Sequence, residues 1–188
     1  MHRRPLLALL EAHRVRHPDD DVRTLAVRRF VREHADCFER TCPPGHLTAS
    51  AWIVSADHRH VLLAHHRKLG RWLQPGGHAD GDPDALSVAM REAREETGLV
   101  VLSTLPSDDG GLLDVDVHEI PARAGEPAHL HHDVRFLLIA EPGQALHCSE
   151  ESIEVRWVCW ADLPALAGEE SLLRMATRAR ERLGLRFA

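Results

Sequence analysis

The sequence predicts a mixed α/β sandwich with a helical N-terminal extension, and three observations point there. Alternating, β-rich stretches recur between residues 46 and 160. One strongly helical segment stands among them, entered and left through glycines. The first 44 residues are instead charged and helix-forming, and they stop at Cys42-Pro43-Pro44-Gly45.

Residues 3–16 and 20–40 read as two helices separated by His17-Pro18-Asp19. In the second, Val22, Leu25, Val27, Phe30, Val31 and Phe38 make an imperfect apolar face, and Arg23, Arg28, Arg29 and Arg32 line the rest. Residues 1–44 are therefore expected to be a packing extension or a homodimer element rather than a substrate cap, and 45–188 the main domain. Residues 46–55 alternate as a strand, Asp57-His58-Arg59 turns the chain, and 60–66 return as the second strand of a hairpin. A basic loop follows, with Arg67, Lys68 and Arg71 as candidates to grip a phosphate. The central helix is expected over 83–97, with Asp82 at the N-cap, Pro83 at the first helical position and Gly98 as the stop. Leu86, Ala89, Met90 and Ala93 give it a buried stripe. Strands are expected over 100–105, 112–120, 129–140 and 153–160, then an amphipathic helix over 169–183. Trp52, Trp72, Trp157 and Trp160 lie in or beside strands and read as core residues.

A net charge of −6 disfavours nucleic acid as a partner. Four cysteines without C-x-x-C spacing fit a reducing compartment, although Cys37 and Cys42 could meet across a helix end. Residues 1–10 imitate a signal peptide, but Glu11 and His13 cut the apolar run short. No run approaches a membrane span, so a cytoplasmic setting is expected.

Glu92, Glu95 and Glu96 sit at i, i+3 and i+4, which puts three carboxylates in one helical sector. Such a cluster is ordinary on a solvated helix face. Behind a Gly76-Gly77 entry it also suits a hard divalent cation, Mg²⁺ or Mn²⁺. Gly77, Arg91, Glu92, Glu95, Glu96, Gly98 and Leu99 stand in the register of the Nudix box, and the segment resembles the Nudix hydrolase family. The resemblance implies a Nudix-type α/β/α sandwich with a mixed sheet. It also implies metal-dependent cleavage of a diphosphate bond in a nucleoside diphosphate linked to another group, or in a related nucleotide. Glu92, Glu95 and Glu96 would be metal ligands and catalytic groups, with the Gly76 carbonyl beside them and an acid outside the box completing the site. Glu150, Glu151, Glu154 and Asp133 are the candidates for that acid. Pro83 replaces the first Glu of the box, so Asp80 or Asp84 is expected to hold Arg91.

Histidine is abundant, at 15 residues. His46 opens a strand, His78 follows the glycines, and His129, His131 and Asp133 alternate on one strand face. His46, His78, His131 and Asp133 are candidates for an additional transition-metal or substrate site. His46-Leu47-Thr48-Ala49-Ser50-Ala51-Trp52 together with His78 also resembles isopentenyl-diphosphate isomerases, which share the fold. That family needs a catalytic Cys two residues before the second His; Gly76 stands there, which speaks against isomerase activity. A non-catalytic nucleotide-binding module is the other alternative, and the intact carboxylates argue against it.

Overall fold

The computed structural model of the chain describes residues 2–107, 110–123 and 125–185. Helix α1 (Arg4–Arg16) and helix α2 (Asp21–Glu33) are joined by a 3-10 turn at Pro18–Asp20. Strands β1 (Gly45–Ser55), β2 (His60–His66), β3 (Arg71–Leu73) and β4 (Gly76–His78) precede helix α3 (Ala85–Thr97). Strands β5 (Leu102–Ser103), β6 (Leu112–Ile120), β7 (His129–Ala140) and β8 (Ser152–Cys159) follow, then helices α4 (Leu163–Leu166) and α5 (Glu170–Arg182).

All eight strands form one mixed sheet. Its centre is a parallel pair, β1 beside β7, in register from Gly45↔Leu130 to Ser55↔Ala140. Parallel strands covered on both faces read as near-continuous burial, and β1 is buried along all but its last residue. The other edge of β1 is shared: β4 pairs antiparallel with Thr48–Ser50, and β2 with Ile53 and Val54.

The two faces carry separate cores. Odd-numbered residues of β1 (Leu47, Ala49, Ala51, Ile53) pack with Leu6 and Leu10 of α1, Val27, Phe30 and Val31 of α2, and Ala85, Val88, Ala89 and Ala93 of α3. Trp52 and Val54 pack with Leu172, Met175, Ala176 and Ala179 of α5 on the far side. This is the expected α/β/α sandwich with a mixed sheet. The N-terminal helices share the core of the first face. A buried ionic cluster pins α5 to the sheet: Asp114, fully buried, accepts from Arg135, Arg174 and Arg178.

Several boundaries differ from the sequence expectation. The second helix stops at Glu33 rather than running to residue 40, because 34–42 fold back through tight turns and the Cys37 carbonyl accepts the Leu47 N–H at 2.7 Å. The strand expected over 100–105 shortens to Leu102–Ser103. Cys37 and Cys42 are buried free thiols, and Cys42 Sγ donates to Asp36 at 3.5 Å.

Candidate active site

Helix α3 begins two residues later than its sequence suggests. Asp84, not Asp82, is the N-cap: its side chain accepts the Ser87 N–H at 3.1 Å. Asp82 instead turns the chain before the cap, accepting the Asp84 N–H at 2.9 Å, with Pro83 between them. Gly98 closes the helix in the left-handed conformation, φ 75°, which a side chain would disfavour. The buried stripe is Ala85, Val88, Ala89, Ala93 and Thr97; Leu86 and Met90 lie at its margin.

This packing aims Glu92 and Glu96 at β4. The Gly76 N–H donates to Glu96 Oε1 at 2.8 Å. A Cβ on Gly77 would stand 2.5 Å from Glu92 Cδ and Oε2, so the bare glycine is what admits the carboxylate. Glu95 points outward, exposed, from the same helical sector. Burial lifts Glu96 to about 7; the Gly76 N–H opposes the shift, and Glu92, Glu151 and Glu95 add to it. Burial also raises Glu92, opposed by Arg91. Glu151 acts on both, which singles it out among the outside acids. Glu154 lies 3.6 Å from Arg156, and Asp133 accepts from Thr48, Ser50 and Arg135.

Arg91 is not held by Asp80 or Asp84. It donates to the His78 carbonyl at 2.8 Å and to Glu92 at 2.7 Å, while Asp80 pairs with Arg40 and Asp84 caps the helix. Arg67, expected to grip phosphate, is fastened to the loop before β8. Its guanidinium donates to the carbonyls of Glu150 at 3.0 Å and Ser152 at 2.8 Å, and its N–H to that of Glu151 at 2.8 Å. Arg71 reaches Glu169 at 3.1 Å; Lys68 is exposed. Of the three basic candidates, Lys68 alone carries no such side-chain tie among the described residues.

His46, His78, His129 and His131 gather on the opposite sheet face, and His118 joins them, a neighbour the sequence did not single out. Burial, then the like charges of neighbouring histidines, lowers His46 to about 4 and His131 to about 3. Asp133 does not join this group, because Thr48, Ser50 and Arg135 engage both its oxygens.

An array of hard oxygen donors whose pKa values burial and mutual repulsion raise suits a divalent cation, which relieves the repulsion that burial sharpens. The family description "NUDIX domain" matches residues 44–178. A probable DHNTP pyrophosphohydrolase from Lactococcus lactis subsp. cremoris (strain MG1363) is 32% identical over 105 residues, covering 55% of this chain and 59% of that protein. The match thus spans well under two thirds of the relative's length. A crystal structure of a NUDIX-family hydrolase from Clostridium perfringens is 26% identical with a TM-score of 0.58, covering 73% of this chain and 97% of that one. The Ap4A hydrolase of C. elegans, in a binary complex, superposes with a TM-score of 0.59 at 17% identity over the same shares.

Proposed function

The chain belongs to the NUDIX family, and from that membership we propose that it is a Mg²⁺- or Mn²⁺-dependent hydrolase of a diphosphate bond in a nucleotide-derived substrate. The observation that carries the reading is the placement of Glu92 and Glu96 against Gly77 and Gly76 of β4, where the charge of Glu151 also bears on both, with Glu95 in the same helical sector. Glu92, Glu95 and Glu96 would hold the cation, with Glu151 as the acid from outside the helix. Bound there, a divalent ion neutralises the diphosphate and lowers the pKa of a coordinated water. Arg91 keeps Glu92 turned toward Gly77, and the Gly76 N–H keeps Glu96 in place. A carboxylate of the cluster not engaged with the cation accepts the proton of the attacking water. Lys68, at the rim of the β2–β3 turn, remains the candidate for phosphate contact.

The names of the relatives suggest where to begin with substrates: dihydroneopterin triphosphate and diadenosine tetraphosphate. A phosphate- and pyrophosphate-release screen over these, nucleoside triphosphates and nucleotide sugars, with Mg²⁺ and Mn²⁺ in parallel, tests the reading. Turnover of at least one class is expected. Tight binding across the panel without turnover would make the protein a nucleotide-binding module instead. Four free cysteines fit a reducing, cytoplasmic setting, and no helix among the described residues is long and apolar enough to cross a membrane. Exposed Val15, Val22 and Leu25 on α1 and α2 are where a homodimer contact would form, and light scattering on the intact chain checks it.

A further inference from the structure

At the N-terminal end of β1, imidazoles crowd one point on the sheet face turned away from α3. The rings of His46, His129 and His131 stand 4.8, 4.9 and 5.2 Å apart, and one ligand nitrogen from each lies within 4.8 Å of the others. His78 flanks them, 5.0 Å from both His46 and His131.

These rings are poorly explained as core residues. His46 is 2% exposed, yet neither of its nitrogens has a hydrogen-bond partner, and His131 Nε2 has none. Leaving a buried polar atom so is costly, and buried side-chain nitrogens are ordinarily paired. His129 supplies a second, independent sign. Its Nδ1 lies 3.0 Å from the Pro127 carbonyl, which can only accept, so Nδ1 carries the proton and Nε2 presents its lone pair. A backbone carbonyl fixing the tautomer of a metal-binding imidazole is the usual supporting arrangement.

We infer that His46, His129 and His131 form a binding site for a borderline divalent transition ion, Zn²⁺ foremost. Three neutral imidazoles are a donor set for Zn²⁺, Co²⁺ or Ni²⁺ and a poor one for Mg²⁺. Tetrahedral Zn–N bonds place ligand nitrogens about 3.3 Å apart, so modest rotation of the side chains closes the present spacing. His78 is the nearest remaining imidazole for a fourth place.

The site is separate from the carboxylates by strand geometry. Gly77 pairs with Ala49 and faces Glu92, whereas His78 pairs with Thr48, and successive strand residues face opposite sides. The inference therefore does not depend on the hydrolase reading.

Equilibrium dialysis of untagged full-length protein against Zn²⁺ in excess Mg²⁺, with metal quantified per chain, tests it. About one Zn²⁺ per chain is expected in the wild type and in Glu95→Gln. His131→Asn and His129→Gln should each weaken binding at least about tenfold. Their folding is checked by circular dichroism, and His129, only half buried, keeps the test open if His131→Asn fails to fold. Co²⁺-loaded protein should show visible ligand-field bands that both variants lose. No stoichiometric Zn²⁺, or Zn²⁺ lost in Glu95→Gln and kept in both histidine variants, overturns the site.

Discussion

The Glu92 carboxylate fills the space that a side chain on Gly77 would need, 2.5 Å from its would-be Cβ. The neighbouring glycine has a different tenant: a Cβ on Gly76 would stand 2.7 Å from Ser50 Cα, which is backbone and cannot yield. The two alanine substitutions should therefore fail differently. Gly77→Ala should keep its melting temperature within a few degrees, since the end of a flexible side chain can move, while hydrolysis drops about tenfold or more as Glu92 is displaced. Gly76→Ala should lose stability first, by about 1–3 kcal/mol. Thermal melts and steady-state kinetics on the pair separate the two effects.

Burial among like charges raises the pKa of Glu96, so Glu96→Gln removes a cost of folding together with what the proposed function makes a metal ligand. Its amide oxygen still accepts from the Gly76 N–H. The variant should melt no lower than the wild type while turnover falls at least about a hundredfold, roughly 2.7 kcal/mol of barrier. Glu95→Gln, at an exposed position, should lose activity with an unchanged melt. Activity assays and calorimetry check both, and wild-type turnover in the two variants would remove the catalytic assignment.

The long strands were legible in the sequence because one face is mostly apolar: 112–120 and 129–140 coincide with β6 and β7. The carboxylate helix was legible for a local reason, since i, i+3, i+4 spacing guarantees a shared sector. Other features depend on tertiary contacts that no local pattern encodes. Glu151 lies on an exposed turn, and its charge bears on Glu92 and Glu96 only because β8 pairs with β2. Arg67 looked free in a basic run, but the same pairing hands it the carbonyls of 150 and 152. Arg91 found the His78 carbonyl and its own neighbour Glu92 in place of Asp80 or Asp84, and the carbonyl is a partner that side-chain chemistry cannot announce.

On the proposed reading Arg67 would act through Glu151, as a positioning residue, because it ties down the backbone of 150–152. Arg67→Gln should raise the Mg²⁺ concentration needed for half-maximal activity several-fold and lower kcat, with KM for the substrate nearly unchanged. A guanidinium that gripped phosphate would do the reverse, raising KM with the Mg²⁺ requirement intact. Mg²⁺ titrations at saturating substrate distinguish the outcomes.

Asp114 holds three guanidiniums in a site closed to water, those of Arg135, Arg174 and Arg178. Asp114→Asn keeps the shape and removes the charge that all three share, leaving Asp116 and Asp133 to pair Arg135. The expected loss is about 3–5 kcal/mol, or roughly 6–20 °C in melting temperature for a domain of this size. Because Arg174 and Arg178 lie on α5, limited proteolysis should show earlier cleavage near that helix than in the wild type.

Phe30 of α2 stacks on His132 of β7 with ring centroids 3.8 Å apart and planes 7° from parallel. Burial there, with minor repulsion from His34, His46 and His118, lowers His132 to about 4. An unfolded histidine titrates near 6.5. Between these values the unfolded chain binds the proton and the folded one does not, so stability is fully present above about pH 6.5 and drains away as pH falls toward 4. The share of His132 lost between pH 7 and pH 5 is about 2 kcal/mol, or roughly 4–8 °C. His132→Phe keeps a ring against Phe30 and has nothing to protonate. Its melting temperature should fall less than that of the wild type over this interval, with histidines such as His17 supplying the remaining slope in both proteins. Calorimetric melts at pH 7 and pH 5 decide the matter: parallel declines would mean that His132 takes up its proton without opening the α2–β7 contact.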